Sequence, residues 1–237
     1  MRPLAQHQLS DGVRAWRWPG RARRPFVFRD GRDGELARGR LAGVPEQWVR
    51  QINVTEHSPA LDTLASGFAE DRGMRRVMAP PFEQSSREFL EILLNICLDS
   101  GAVWATPGME SVACWTTPAG RNGVALFSRH AERITELTAG DPAIAAAEAQ
   151  FYERHRPQHA VWFLCTVATR PEARGRGLAK AVITPGLQAA DDANVPTFLE
   201  TDNPSNIGLY ESLGFKVVAQ EQLDDALVPT SMMRVPR

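Results

Sequence analysis

At 237 residues with 43% apolar side chains, the chain suits one ordinary domain with a buried core and room for an extension. No apolar run approaches membrane-spanning length and the N-terminus lacks an apolar signal core, so no membrane span is expected and the expected location is cytoplasmic. The formal net charge is −1, but it is uneven: residues 1–50 carry 11 Arg against 5 acidic residues, and residues 51–237 carry 16 basic against 23 acidic residues. Only Lys180 and Lys216 are lysines, so Arg content by itself signals no phosphate ligand. Cys97, Cys114 and Cys165 are odd in number, lack metal-like spacing and sit in apolar surroundings. They are expected to be buried structural thiols, and no metal is expected.

Residues 1–50 stand apart. Arg14-Ala-Trp-Arg-Trp-Pro-Gly-Arg-Ala-Arg-Arg24 is basic and broken by Pro and Gly, and Arg29-Asp-Gly-Arg-Asp-Gly34 is turn-like. Two readings stay open: a piece that touches nucleic acid or an anionic surface, or a poorly ordered extension. The expected division is an Arg-rich extension over 1–50 and a domain over 51–237.

From Val49 the pattern becomes regular. Val49–Val54 reads as a first strand. Ser58 is placed to cap a helix from Pro59, with Leu61, Leu64, Ala65 and Phe68 on one face. A short helix is expected over Arg72–Met78. Ser85 or Ser86 is expected to cap the next, Arg87–Leu98. Val103–Ala105 and Ser111–Trp115 flank Pro107-Gly108 as a hairpin. Residues 121–158 read as helical, broken near Gly140-Asp-Pro142, with Val124, Leu126, Phe127, Ile134 and Leu137 available to bury. A fourth strand, Val161–Ala168, leads through a glycine-rich turn into a helix over 178–192. A fifth strand follows at Phe198–Thr201, then a helix over Ser205–Leu213 ended by Gly214, then strands at Phe215–Ala219 and Met232–Val235.

The chemistry concentrates in two segments. Thr169-Arg-Pro-Glu-Ala-Arg-Gly-Arg-Gly-Leu-Ala179 lies between a strand and a helix, the layout that presents backbone N–H groups to a phosphate. Gly175 and Gly177 let an anion approach the backbone, and Arg174 and Arg176 add positive charge. The Lys-Ser/Thr ending of a P-loop and the Gly-x-Gly-x-x-Gly of a dinucleotide fold are both missing. The second segment is Asn203-Pro-Ser-Asn-Ile-Gly-Leu-Tyr-Glu-Ser-Leu-Gly-Phe215.

In that order and spacing, the Arg174-x-x-Gly177-x-Ala179 turn and the Asn203–Phe215 segment resemble the GNAT N-acetyltransferase family. The close match covers residues 160–217. The resemblance implies an α/β fold with a mixed sheet. Helices between the third and fourth strands resemble the insert of a subgroup that includes puromycin-type enzymes, though the His that enters the fourth strand there is Val161 here.

By that resemblance, acetyl-CoA is the co-substrate and the acceptor a primary amine of a small molecule. The pyrophosphate would rest on Arg174, Gly175, Arg176, Gly177, Leu178 and Ala179. The pantetheine arm would pair with the backbone of Val167, Ala168 and Thr169. Asn203 aligns with the family asparagine that holds CoA, and a plain turn or helix cap stays open as its other reading. Tyr210 aligns with the tyrosine that protonates the departing sulfur, with a phenol near its ordinary value of about 10; a core tyrosine is the alternative. The fourth strand has no carboxylate, so Glu200 on the fifth is the nearest candidate for a general base. His155 and His159 are one pair without a third ligand. An acyl-CoA-binding sensor without turnover and a protein N-acetyltransferase are the alternative functions. Membrane and nucleic acid are not expected partners, and a homodimer is allowed.

Overall fold

The computed structural model describes residues 49–118, 127–225 and 227–237. The Arg-rich segment up to residue 48, Val124 and Leu126 lie outside the described residues. Among the described residues, seven helices flank the sheet: α1 (His57–Phe68), α2 (Arg72–Val77), α3 (Phe82–Ser100), α4 (Ala131–Leu137), α5 (Pro142–His155), α6 (Leu178–Asp192) and α7 (Ile207–Ser212). The strands are β1 (Arg50–Gln51), β2 (Gly101–Ala105), β3 (Ser111–Thr116), β4 (Trp162–Thr169), β5 (Thr197–Thr201), β6 (Lys216–Gln220) and β7 (Thr230–Arg234). Among the described residues, no helix is long and apolar enough to cross a membrane.

The strands form one mixed sheet in the order β1-β2-β3-β4-β5-β7-β6, antiparallel except for β4 against β5. Alternation sends successive side chains to opposite faces. Val103, Val112, Cys114 and Ala168 meet α1 and α3 in one core. Trp104, Trp115, Leu164, Leu199 and Met232 meet α6 and α7 in the other.

Two irregularities in β4 position everything that follows. Trp115 pairs with Leu164 and Cys114 with Thr166, so Cys165 is an extra residue in the ladder, a β-bulge. Parallel pairing with β5 runs only from Trp162↔Thr197 to Leu164↔Leu199. Beyond that point β4 stays with β3 and β5 stays with β7, and the sheet opens between them.

Several local expectations shift. The first strand is two residues long, because Asn53 caps a 3-10 turn over Val54–Glu56 that runs into α1. Ser58 therefore lies inside α1 and caps nothing. α3 begins at Phe82, after Pro81, so Ser85 is in its first turn and donates back to the Pro81 carbonyl at 2.8 Å. α2 is capped by Asp71, whose carboxylate accepts from Met74 N at 2.8 Å. The 121–158 segment holds α4 and α5, with Asp141 as N-cap and Pro142 at the first position of α5. The helix before Gly214 opens as a 3-10 turn, Pro204–Asn206, and Gly214 closes it at φ +95°.

All three cysteines meet on one side of the sheet. Burial first, and then the neighbouring thiols, raise Cys97 and Cys114 well above an ordinary thiol. Cys165, expected to be buried, is partly exposed, because the bulge pushes it out of the ladder.

Candidate active site

The glycine-rich turn has the geometry of an anion cradle. Gly175 and Gly177 sit at φ +74° and +77°, where an L side chain is strained, and a Cβ on either would meet nothing within 4 Å. The space in front of them is open. α6 starts directly after Gly177, and its first helical bond is Ala181 N to Gly177 O at 3.1 Å. The amides of Leu178, Ala179 and Lys180 precede that bond, so they are free to donate at the positive end of the helix dipole.

The turn is braced rather than floppy. Arg174 donates to the Gly67 carbonyl at 2.7 Å, and Arg170 to Thr63 Oγ1 at 3.0 Å, so both arginines tie the turn to α1. Arg176 stays exposed. A hydrogen bond from Thr106 holds the Glu110 carboxyl below the usual carboxylate range, and the charges of Arg176 and Arg170 add to it.

Val167, Ala168 and Thr169 pair with Ala113, Val112 and Ser111 on one side only. Their other edge faces the gap where β5 has departed. An extended strand with one free edge is a template for a peptide-like ligand.

Tyr210 is 6% exposed, in edge contact with Phe215 at 6.2 Å. Val167 packs against the apolar cluster that contains it. Burial, and then the charge of Asp202, push its phenol above its ordinary value, so it is a firmer proton holder than the sequence implied. Asn203 acts as a cap: its carboxamide oxygen accepts from Ser205 N at 3.0 Å and from Ser205 Oγ at 2.7 Å.

Glu200 is not a free carboxylate. Arg156 grips it with two bonds of 2.6 Å each. The Glu200 side chain is 10% exposed and the Arg156 side chain 49%, so the pair is buried at the carboxylate and reaches water along the arginine. Burial pushes Glu200 up, and Arg156 opposes that rise. His155 turns its Nδ1 to the Phe151 carbonyl at 2.7 Å, and its ring lies 4.4 Å from that of Phe151.

Sequence reasoning missed four side chains here. Glu148 and Tyr152 of α5, Arg156 just after it and Asp202 just after β5 gather around Glu200. Tyr152 donates to Asp202. Glu148 lies within hydrogen-bonding reach of Asp202. The legible signal was the spacing of four between Glu148, Tyr152 and Arg156, which puts them along one helix face.

Residues 102–215 match the model of the acetyltransferase (GNAT) family. The chain carries a GNAT acetyltransferase domain. Solved structures with this fold include a histone acetyltransferase HPA2 and related acetyltransferase from Corynebacterium glutamicum, 22% identical, with 80% of this chain and 96% of that chain covered and a TM-score of 0.58. A Drosophila melanogaster polyamine N-acetyltransferase that forms N-acetylagmatine is 14% identical, with 79% and 98% covered and a TM-score of 0.56. An Aedes aegypti arylalkylamine N-acetyltransferase is 15% identical, with 80% and 98% covered and a TM-score of 0.56. The GNAT domain places the chain among acyltransferases, and its site must then be read from its own residues.

Proposed function

We propose that this GNAT domain transfers acetyl from acetyl-CoA to a primary amine of a small molecule by direct attack. The observation that carries the reading is the parting of β4 from β5 after Leu164↔Leu199, immediately before the open Gly175–Gly177 turn. The free edge at Val167, Ala168 and Thr169 suits the amide-rich arm of CoA, and the turn with Arg174, Arg176, Leu178 and Ala179 suits its pyrophosphate. Asn203 shapes the turn beside the arm through its capping bonds. Support for a small amine comes from the Glu148 and Asp202 carboxyls gathered near Glu200 and from two proteins of similar fold described as polyamine and arylalkylamine acetyltransferases.

The reaction makes three demands. The ammonium must lose a proton, the tetrahedral oxyanion needs a donor, and the CoA sulfur must leave as a thiol. Tyr210 meets the last by giving its phenolic proton to the sulfur as the C–S bond breaks. The amine nitrogen replaces sulfur on the carbonyl carbon, and the products are an amide and free CoA. Glu200 is held by Arg156, and it can reach the amine only through water.

Release of CoA thiol, followed with acetyl-CoA and a panel of primary amines, tests the reading. Amine-dependent release with formation of the acetamide is expected. Acetylation confined to protein N-termini or lysines, or acetyl-CoA binding with no turnover on any acceptor, would refute it. The cradle has its own test. Gly177→Glu places a side chain and a negative charge into the open space, and acetyl-CoA binding by calorimetry is expected to vanish. Unchanged affinity in the folded variant would move the pyrophosphate elsewhere.

A further inference from the structure

Arg156 lies where the sheet opens, and only one edge of its guanidinium is in use. Leu164 and Leu199, the last pair between β4 and β5, point into the α6–α7 core. Alternation therefore turns Phe163 and Glu200 to the opposite face. The Arg156 guanidinium bridges these two. Its carbon lies 5.9 Å from the centre of the Phe163 ring, and Nε and Nη2 each donate to Glu200 at 2.6 Å. The ring of Tyr152, from α5, lies at the same distance of 5.9 Å.

The ion pair and the two rings hold a planar cation in place before any ligand arrives, which spares the ordering of a long side chain on binding. Glu200 takes the Nε–Nη2 edge. The Nη1–Nη2 edge is the second pair of parallel donors on the group, and Nη1 donates to nothing among the described residues. The Glu200 side chain is 10% exposed and that of Arg156 49%, so the used edge is turned inward and the unused edge toward water. A fixed fork with one free edge matches a carboxylate. An alkyl ammonium, itself only a donor, offers that edge nothing. Glu148, pushed up to about 9 by burial and then by the Asp202 charge, is protonated at neutral pH and sets no charge against an anion there.

We infer that Arg156 is the specificity-determining residue of the acceptor site, and that the acceptor is an amino acid whose carboxylate docks on the free edge of the Arg156 fork. The inference rests on the acetyltransferase reading above and deepens it. In that reading the CoA arm runs back along β4 from the Gly175–Gly177 turn past Thr169 to Val167, so its thioester end is directed at the same opening. Tyr210 belongs to the α6–α7 core, and Arg156 sits on the other face. The amine then approaches from one face while the proton for the sulfur comes from the other. The free amine bonds to the carbonyl carbon and the C–S bond breaks. Tyr210 gives the sulfur a proton and regains one from solvent, to which the nitrogen loses its own. The products are an N-acetylamino acid and CoA thiol, and Arg156 exchanges no proton.

The test uses the full chain, acetyl-CoA and two matched pairs of acceptors: phenylalanine with 2-phenylethylamine, and arginine with agmatine. The members of each pair differ only by a carboxylate. Wild type is expected to favour each amino acid over its amine about 100-fold in kcat/KM, the span of one strong charge-assisted pairing. Arg156→Gln should remove that preference by raising the amino-acid KM, with kcat and acetyl-CoA affinity little changed. Comparing the preference between variant and wild type cancels any difference in basicity between the nitrogens. Arg156→Gln strands Glu200, so Arg156→Lys is measured beside it. Lysine keeps a counter-charge for Glu200 but has no fork, and the preference should fall about 10-fold. A role for Arg156 in the fold alone would change all four acceptors alike, and that result overturns the inference. So does a wild type that acetylates 2-phenylethylamine and agmatine as well as the matching amino acids. In both cases the acetyltransferase reading stands. If wild type binds acetyl-CoA and acetylates no primary amine at all, the inference and that reading fall together.

Discussion

Tyr210→Phe is expected to lower kcat about 100-fold, or ~2.7 kcal/mol of barrier, and to leave acetyl-CoA affinity unchanged. The change removes one oxygen from a residue that is 6% exposed and leaves its ring on Phe215 and the α6–α7 core, so packing is retained. Only the proton for the departing sulfur is lost. Burial raises the phenol, so it stays protonated throughout the neutral range and imposes no alkaline-side limit on the rate there. A thiol-release assay at saturating substrates reads kcat, and calorimetry reads acetyl-CoA binding. Full turnover in the Phe variant would reduce Tyr210 to a packing residue. Loss of acetyl-CoA binding would show that its oxygen shapes the arm site instead.

Asp191→Ala is expected to cost about 3 kcal/mol of folding stability, the lower end for breaking a buried ion pair. Arg234 is 5% exposed, on β7, and donates twice to Asp191 at the end of α6, each bond 2.7 Å. Its Nε also reaches the Leu213 carbonyl at 3.2 Å, so one guanidinium joins β7, α6 and the end of α7. Removing the carboxylate strands that guanidinium without a counter-charge. The lower end applies because Asp191 keeps 23% of its side-chain surface in water. Hydrogen bonds from Arg234 hold Asp191 below the usual carboxylate range. Its contribution is therefore present above the unfolded value of about 3.9 and lost as pH falls through the lower folded value. Urea unfolding at pH 7 should show the full difference between variant and wild type, and the difference should shrink below about pH 4. A variant within about 0.5 kcal/mol of wild type at pH 7 would mean the pair contributes no more than a surface bridge.

Local chemistry was legible where it was self-contained. The turn from Arg174 to Ala179 needed only glycines, a strand before it and a helix after it, and α6 occupies 178–192 as the periodicity required. Gly214 ends the helix that carries Tyr210 for the same local reason. Caps were less legible. Ser58, Ser85 and Ser86 are all competent, yet Asn53, Asp71 and Pro81 set the starts, because packing against the sheet decides how far a helix extends.

What the sequence determined by itself was the family domain, the glycine turn between a strand and a helix, the helix that carries Tyr210 and the existence of helices between the third and fourth strands. Each is fixed by side chains a few residues apart, whose spacing along the chain is their spacing in space. Only the tertiary structure decided the rest. It moved β7 between β5 and β6, inserted Cys165 as a bulge, and parted β4 from β5 after Leu164. It also carried Glu148 to Asp202 and Arg156 to Glu200, across 54 and 44 positions of chain. Such meetings depend on which strands pair and where a helix packs. The burial that gives Glu148 and Tyr210 their proton affinities exists only once the sheet has closed around them.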